Sequence, residues 1–410
     1  MSEICPSVLM LTTDRQIDRR TLQQADSLTH SGWQVTILAM PRDDQVQDDD
    51  PRIVRINIEK PSLGLSGFSL FFFYKKIRRY ISINSRLMNF LRQLAWSCFA
   101  NPEKLYSSLF ANQLKQYKPT VVMAIDLPTL PAAVMHARQC SAKLVYDSHE
   151  LYCEQEFSKH EKKRWQVIEK KFIPECSAVI TVNPSIASEL KRRYALDTVQ
   201  VIYNSVTQYT KPLRHKLLHQ TLEIPRDKKI LLFQGGLSQG RHLDTLVRSV
   251  KYIKNEMVVL VILGDGRFKN ALERMVQKLK IKNRIYFHPG VAQKELLAYT
   301  QSANAGIIPY QAICLNNYYC TPNKLFEFIA AGIPILGSNL PEINDIVLKN
   351  QLGLTGDMSN VDRLAQLIDE FFSNQERLEI WKQNTLKAQS DFSWVNEERK
   401  LLRIFKGVIE

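Results

Sequence analysis

At 410 residues the chain is too long for one ordinary hydrophobic core, and two domains of about 200 residues each are expected. Its 45% hydrophobic and 23% charged residues are those of a soluble globular protein, while a net charge of +14 points to anionic partners: phosphorylated small molecules, nucleic acid or an anionic membrane surface. Seven cysteines with no CxxC pair argue against a disulfide framework or a zinc site, and no apolar run reaches the ~18 residues that span a bilayer.

The chain opens "MSEICPSVLML", with Glu3 where a secretory signal would carry positive charge, so a cytoplasmic protein is expected. The strand-like run 7–11 leads into a stretch where Ile17, Leu22, Ala25 and Leu28 recur at helical spacing, and then into the run 33–39. Further strand-like runs at 121–125, 143–147, 178–182 and 199–204 alternate with helical patterns. This alternation argues for a mainly parallel sheet covered on both faces. A polar stretch, 207–229, separates it from a second series at 230–236, 258–266, 284–290, 305–310 and 333–338. The expected fold class is α/β with two Rossmann-like halves, divided near residues 206 and 207. Ligands of such sheets sit at the carboxyl ends of the strands, where Gly235, Gly236, Gly264, Gly266 and Gly290 fall.

Residues 61–100 fit neither half. They hold six Lys or Arg and no Asp or Glu, and an aromatic run that includes Phe71, Phe72 and Phe73 abuts Lys75, Lys76, Arg78 and Arg79. Apolar bulk beside cations suits an interfacial helix, so contact with an anionic membrane surface is expected. The pattern also fits a helical hairpin packed on the sheet with its basic face in water. No RNA or DNA module accompanies these cations, and no nucleic-acid partner is expected. The acidic run Asp48, Asp49 and Asp50 reads as a solvated loop, and neither a metal nor another cofactor is expected.

Three stretches suggest chemistry. In "FQGGLSQGRHLDTL" (233–246), Gly235 and Gly236 let a phosphate approach backbone N–H groups, and Arg241 offers a permanently charged fork. The plain alternative is a tight turn with a surface arginine. "LGDG" (263–266) is a weaker signal of the same kind. In "TPNKLFEFIAAG" (321–332), Thr321 suits an N-cap, Pro322 the first helical position and Gly332 the C-terminal stop. The residues between are apolar nearly all round, which predicts a buried helix. Lys324 and Glu327 share one of its faces. A lysine near the positive helix end is unfavourable by itself, so a nearby anion would account for it, and Glu327 is placed to accept bonds from ligand hydroxyls. A simple Lys324–Glu327 ion pair is the alternative.

Taken together, "YNSV", "FQGGLSQGRHLDTL", "ILGDG", "GIIPY" and "TPNKLFEFIAAGIPILGS" resemble the donor half of retaining, GT-B-fold glycosyltransferases of family 4. "DRRTLQQADSLTHSGWQVTILA" and "YDSHELY" resemble the matching acceptor half, and "DFSWVNEERKLLRIF" is similar to the closing segment. The resemblance implies a GT-B architecture with two parallel sheets facing across a cleft: an acceptor domain 1–206, a donor domain 207–391 and a helix 392–410 crossing back. It implies transfer of a sugar from a nucleotide diphosphate sugar to a hydroxyl of a glycan or lipid-linked acceptor, with retention of configuration.

Carried onto this chain, the resemblance places Glu327 on the nucleotide ribose, Arg241 on the diphosphate, Lys324 near the diphosphate or donor sugar, and His149 near the transferred sugar. Asn323 and Leu325 flank Lys324 in the donor-binding motif, with Gly235, Gly236, Gly264 and Gly266 in the same site. Asp126, at a strand end, joins Asp18, Arg19, Glu150, Asn316 and Asn317 as candidates for acceptor or sugar contact. Two departures stand out. The first glutamate of the family's E-x7-E motif falls on Tyr319, and the N-terminal Gly-Gly loop is replaced by Asp14-Arg15 and Asp18-Arg19-Arg20, whose arginines would meet a donor phosphate or an anionic acceptor. A nucleotide-sugar epimerase and a non-catalytic scaffold of the same fold are the competing readings.

Overall fold

The computed structural model describes residues 5–42, 50–57, 102–207 and 216–410. The membrane-interface candidates Phe71, Phe72, Phe73, Lys75, Lys76, Arg78 and Arg79 lie outside the described residues, as do Asp48 and Asp49. The chain forms two compact units: Met1–Val182 with Ile186–Ile202 and Lys400–Glu410, and Asn183–Ser185 with Tyr203–Arg399.

The first unit is built on a seven-stranded sheet of β1 (Ser7–Thr12), β2 (Gln34–Ala39), β3 (Ile53–Arg55), β4 (Val121–Ile125), β5 (Lys143–Ser148), β6 (Ala178–Thr181) and β7 (Gln200–Val201). All its pairings are parallel, in the order β3-β2-β1-β4-β5-β6-β7. Every residue of β4 is buried, as a strand covered by helices on both faces requires. Within this unit the Phe405 ring meets Trp33 edge-on at 5.3 Å, which docks the C-terminal residues on the sheet's helical layer.

The second unit carries six parallel strands: β8 (Lys229–Gln234), β9 (Val258–Leu263), β10 (Ile285–His288), β11 (Ala305–Ile308), β12 (Ile335–Ser338) and β13 (Gly353–Gly356). Their order is β10-β9-β8-β11-β12-β13. Each sheet therefore reverses direction once, between β1 and β4 in the first unit and between β8 and β11 in the second. The crevice outside the carboxyl ends of those strand pairs is where open α/β sheets hold ligands.

Two strands escape the hydrophobic pattern. β3 is three residues long and only half-buried, and β13, Gly-Leu-Thr-Gly, has too few side chains to show alternation. The helix expected after residue 321 runs Asn323–Ala331 and starts one residue later than its capping residues suggest: Pro322, in extended conformation, stands at the N-cap. Thr321 does not cap it. Its hydroxyl instead accepts from the Asn183 side-chain amide at 3.2 Å. Leu325, Phe326, Phe328 and Ile329 are buried in the core of the unit, each contributing roughly 1.5–3 kcal/mol by area removed from water. Gly306 in β11 makes room for the Phe328 ring, since a methyl group there would collide with it. That packing fixes the helix against the sheet and sets the direction of its first turn.

Candidate active site

The second unit gathers two cations and a carboxylate at its switch point. Lys324 Nζ donates to the Tyr310 hydroxyl at 2.8 Å and lies 4.6 Å from the centre of the Phe233 ring. Arg241 lies over the Tyr310 ring at 4.6 Å from guanidinium carbon to ring centre. Tyr310 thus holds both cations, and it does so from just past the carboxyl end of β11. Although charged by nature, Lys324 is only 6% exposed. Burial and the neighbouring Arg241 push its ammonium down to about 7, against the opposing pull of Glu327. Glu327 itself accepts from the Gln234 side-chain amide at 2.6 Å, and Gln234 Oε1 lies 2.8 Å from the Thr300 hydroxyl. The last residue of β8 therefore orients the carboxylate.

The glycines after β8 and β9 divide into two roles. Gly235, at φ +114°, passes close to Lys324: a methyl group there would stand 3.5 Å from Nζ. Gly236 is open, with nothing near its missing side chain. Gly264, at φ +142°, and Gly266 are set by the packing of the second loop on the first, since a side chain at either would run into the carbonyls of Gly235 and Leu237. Asp265 completes this loop pair by accepting the Gly290 N–H at 2.7 Å. Asn323 is exposed and accepts from Asn204 at 2.9 Å, whereas Leu325 is a core residue whose N–H bonds the Pro322 carbonyl.

Asn316 is buried, and Asn317 closes a one-turn helix on the Cys314 sulfur. Tyr319 stands beside Tyr318 with ring centres 5.0 Å apart, and its carbonyl accepts from Asn183 at 2.7 Å.

In the first unit, acids converge on His149 around the β1/β4 switch point. His149 Nε2 is 3.1 Å from Asp147, while Nδ1 lies 3.5 Å from Asp18 and 3.8 Å from Asp126. Burial opposes a charge on the ring, but Asp147, Asp126 and Asp18 outweigh it and raise His149 to about 10. It is an imidazolium at neutral pH. Asp126 closes β4 at φ +60°, a strained conformation for a residue with a side chain. Its N–H bonds the Asp147 carbonyl at 3.0 Å, and its Oδ1 accepts the His149 N–H at 3.0 Å. Burial lifts its carboxyl to about 7 despite the facing imidazolium. Asp18 also caps the Arg19–His30 helix by accepting the Thr21 N–H at 2.8 Å. Arg19 is half-buried in the first turn of that helix, and Glu150 turns aside to accept from Gln155.

Arg20 corrects one expectation. It meets no phosphate: its guanidinium forks onto Asp147 at 2.9 and 2.8 Å and donates to the Ile202 carbonyl at 2.6 Å, fully enclosed. Burial works to raise the Asp147 carboxyl, but Arg20 and His149 hold it well below the usual range, and Gln24 also donates to it at 2.7 Å. The arginine is thus the support of the His149 cluster. Sequence reasoning also missed Tyr310, Gln234 and Asn183. Tyr310 and Gln234 close strand-like runs at the ligand-bearing end, a signal that was available; Asn183 left none. Among the described residues, no group of three His, Cys, Asp or Glu side chains is arranged to hold a metal ion, and no helix is long and apolar enough to cross a membrane.

Two Rossmann-like units with parallel sheets give the chain the GT-B architecture of known glycosyltransferases. Residues 215–388 match the family Glycosyl transferases group 1, and residues 17–205 match a Glycosyl transferase 4-like domain. The chain belongs to the group 1 glycosyltransferases. An uncharacterized glycosyltransferase of Methanocaldococcus jannaschii is 24% identical over 58% of this chain and 61% of its own length. The D-inositol 3-phosphate glycosyltransferase of Xylanimonas cellulosilytica is 21% identical over 58% of each. The chain therefore spans about three fifths of these curated relatives. In solved structures, sucrose-phosphate synthase of Thermosynechococcus elongatus shares the fold with a TM-score of 0.71 at 16% identity, covering 98% of both chains. Anabaena HepE, in complex with UDP and glucose, superposes with a TM-score of 0.69 at 14% identity over 98% of this chain and 99% of that one.

Proposed function

We propose that the protein transfers a sugar from a nucleotide diphosphate sugar to a hydroxyl of a glycan or lipid-linked acceptor, with retention of configuration, in the synthesis of a cell-surface polysaccharide or glycolipid. The observation that carries this reading is the pairing of Arg241 and Lys324 on Tyr310 beside the Gly235 turn. Two cations on one ring suit a diphosphate, whose negative charge grows as the glycosidic bond breaks. Glu327, oriented by Gln234, takes the ribose hydroxyls. HepE, with the same fold, binds UDP and glucose, which supports a nucleoside diphosphate as the leaving group.

In the reaction, the bond between the anomeric carbon and the phosphate oxygen breaks and the acceptor oxygen bonds to that carbon on the same face. The departing phosphate takes the acceptor's proton, so no protein nucleophile and no redox partner enter. His149 contributes a fixed positive charge and an N–H for the transferred sugar, and Asp126 and Asp18 face the acceptor hydroxyls. No metal or cofactor is assigned a role. Residues 61–100 bring the enzyme to the anionic cytoplasmic face of a membrane, with no nucleic-acid partner.

Tyr319 favours a second reading, a non-catalytic scaffold, because the motif's first carboxylate is absent. An assay of sugar transfer to lipid and glycan acceptors separates these readings. Turnover that yields an anomer matching the donor, by proton NMR coupling, and that falls in Arg241→Ala supports the enzyme. Conversion of donor without acceptor would indicate an epimerase, and a folded protein with no turnover on any donor a scaffold.

A further inference from the structure

We propose that the second unit carries a separate anion site, at the edge of its sheet opposite the glycine turns, which takes the phosphate group of a phosphorylated molecule. A cavity of about 420 Å³ opens where β8, β11 and β12 begin, walled by Lys229, Asn304 and Pro334. Lys229 and the candidate donor site at Gly235 mark opposite ends of β8, so this cavity is no part of that site.

Its chemistry is one-sided. Among the described residues, Lys216, His219, Arg226, Lys228, Lys229 and Lys382 line it against a single carboxylate, Glu379. Lys229 Nζ donates to the Gln375 side chain at 2.7 Å and Lys228 Nζ to the Glu256 carbonyl at 2.9 Å. Both partners are neutral, so these charges are held in place without being cancelled. Lys382 reaches Glu379 only at 3.9 Å. An adjoining hollow of about 560 Å³ shares Lys216, His219 and Arg226 and adds Glu223.

An independent observation lies in the wall. His219 is 8% exposed, and its Nε2 meets the Lys228 carbonyl at 3.2 Å. Its Nδ1 has no hydrogen-bond partner among the described residues, and neither has Gln301 Oε1 beside the cavity. Buried polar atoms are rarely left so, and an absent water or ion is a usual reason. Because Nε2–H donates to the Lys228 carbonyl, Nδ1 and Gln301 Oε1 are both acceptors that lack a donor, and a P–OH or a water held by the phosphate supplies one to each. Phe372, Leu378 and Leu386 line the remainder and suit an apolar body attached to that phosphate. The volume fits a small phosphorylated molecule or one lipid headgroup and is far too small for a nucleic-acid duplex.

The test uses the full chain, Lys216→Glu/Arg226→Glu, and Arg241→Ala as a donor-site control. Both reversed side chains are exposed, and Lys216→Gln/Arg226→Gln stands by if the reversal disturbs the melting curve. Inorganic phosphate is titrated by calorimetry, and vesicles of phosphatidylcholine with and without phosphatidic acid are tested by flotation. The proposal expects at least tenfold weaker phosphate binding in the double variant and none lost in Arg241→Ala, which identifies a soluble ligand. Loss of phosphatidic-acid binding alone identifies a headgroup. It is overturned if the double variant binds both probes like the wild type, if neither probe binds the wild type, or if Arg241→Ala alone abolishes phosphate binding. Failure of the donor reading leaves this result untouched, because the two sites are mutated separately.

Discussion

Lys324 and Arg241 converge on a single aromatic ring: the ammonium hydrogen-bonds the Tyr310 hydroxyl at 2.8 Å while the guanidinium lies 4.6 Å over the ring. Bringing two cations together lowers the cost of removing a proton from the stronger acid of the two, and Lys324 stands near 7 for that reason as well as for its burial. A diphosphate arriving there reverses the balance.

Donor binding at pH 8 is therefore expected to take up a proton at Lys324. Calorimetry in two buffers of different ionisation enthalpy reads this directly, and Lys324→Met should abolish the difference. Stability carries the same signature. The folded pKa lies below the unfolded value, so the unfolded chain binds the extra proton between pH 7 and about 10, and this group's contribution makes the protein more stable as pH rises through that window. Melting curves of wild type and Lys324→Met should converge toward pH 10.

The first unit has the opposite sign. His149 is raised to about 10, so its contribution to stability is complete below about pH 6.5 and is lost as pH rises through 10. Asp147→Asn leaves the enclosed Arg20 guanidinium without its carboxylate and should destabilise the protein by about 3–5 kcal/mol. Histidine NMR in a variant that still folds should show His149 titrating well below its wild-type value. An unchanged titration would separate the ring from Asp147.

Glu327→Ala removes the carboxylate that Gln234 orients. Losing a charged hydrogen bond of about 1.5–3 kcal/mol predicts roughly a 10- to 150-fold rise in donor Kd, with a modest fall in melting temperature because the buried Gln234 amide loses its acceptor. Gln234→Leu should produce a smaller rise, since it acts only through Glu327. Equilibrium binding of a labelled donor measures both.

Gly264→Ala places a side chain against the Gly235 carbonyl at a φ of +142°. The loop after β8 must then shift, so donor affinity should fall together with stability. Asn183→Ala also frees residues 319–321, ahead of the Lys324 helix, but spares that loop. It should raise donor KM more than it lowers kcat.

Much of this arrangement was legible in the residues. Strand and helix runs revealed two parallel α/β halves, because buried parallel strands such as β4 and β9 are continuous apolar runs. β3 and β13 were illegible because three or four residues, Ile-Val-Arg and Gly-Leu-Thr-Gly, are too few to carry a periodicity. Arg241 was visible as a cation after a glycine turn, and Lys324 and Glu327 as charges sharing one face of an otherwise apolar helix. Arg20 was misread for a physical reason: a buried arginine and a phosphate-binding arginine look alike until the Asp147 partner, 127 residues away, is brought to it by the pairing of β1, β4 and β5. The Tyr310 bridge was hidden in the same way, since Arg241 comes from the turn after β8 and Lys324 from the Asn323–Ala331 helix, far apart in the chain.

The central claim is that Arg241, Lys324 and Glu327 form one donor site. The measurement that tests it most directly is thermal stabilisation by UDP-, GDP-, ADP- and dTDP-sugars, with Arg241→Ala and Glu327→Ala as controls. The account predicts that one nucleotide class raises the melting temperature and that both variants lose the rise. A wild-type protein that responds to no donor, or variants that respond as well as the wild type, would contradict it.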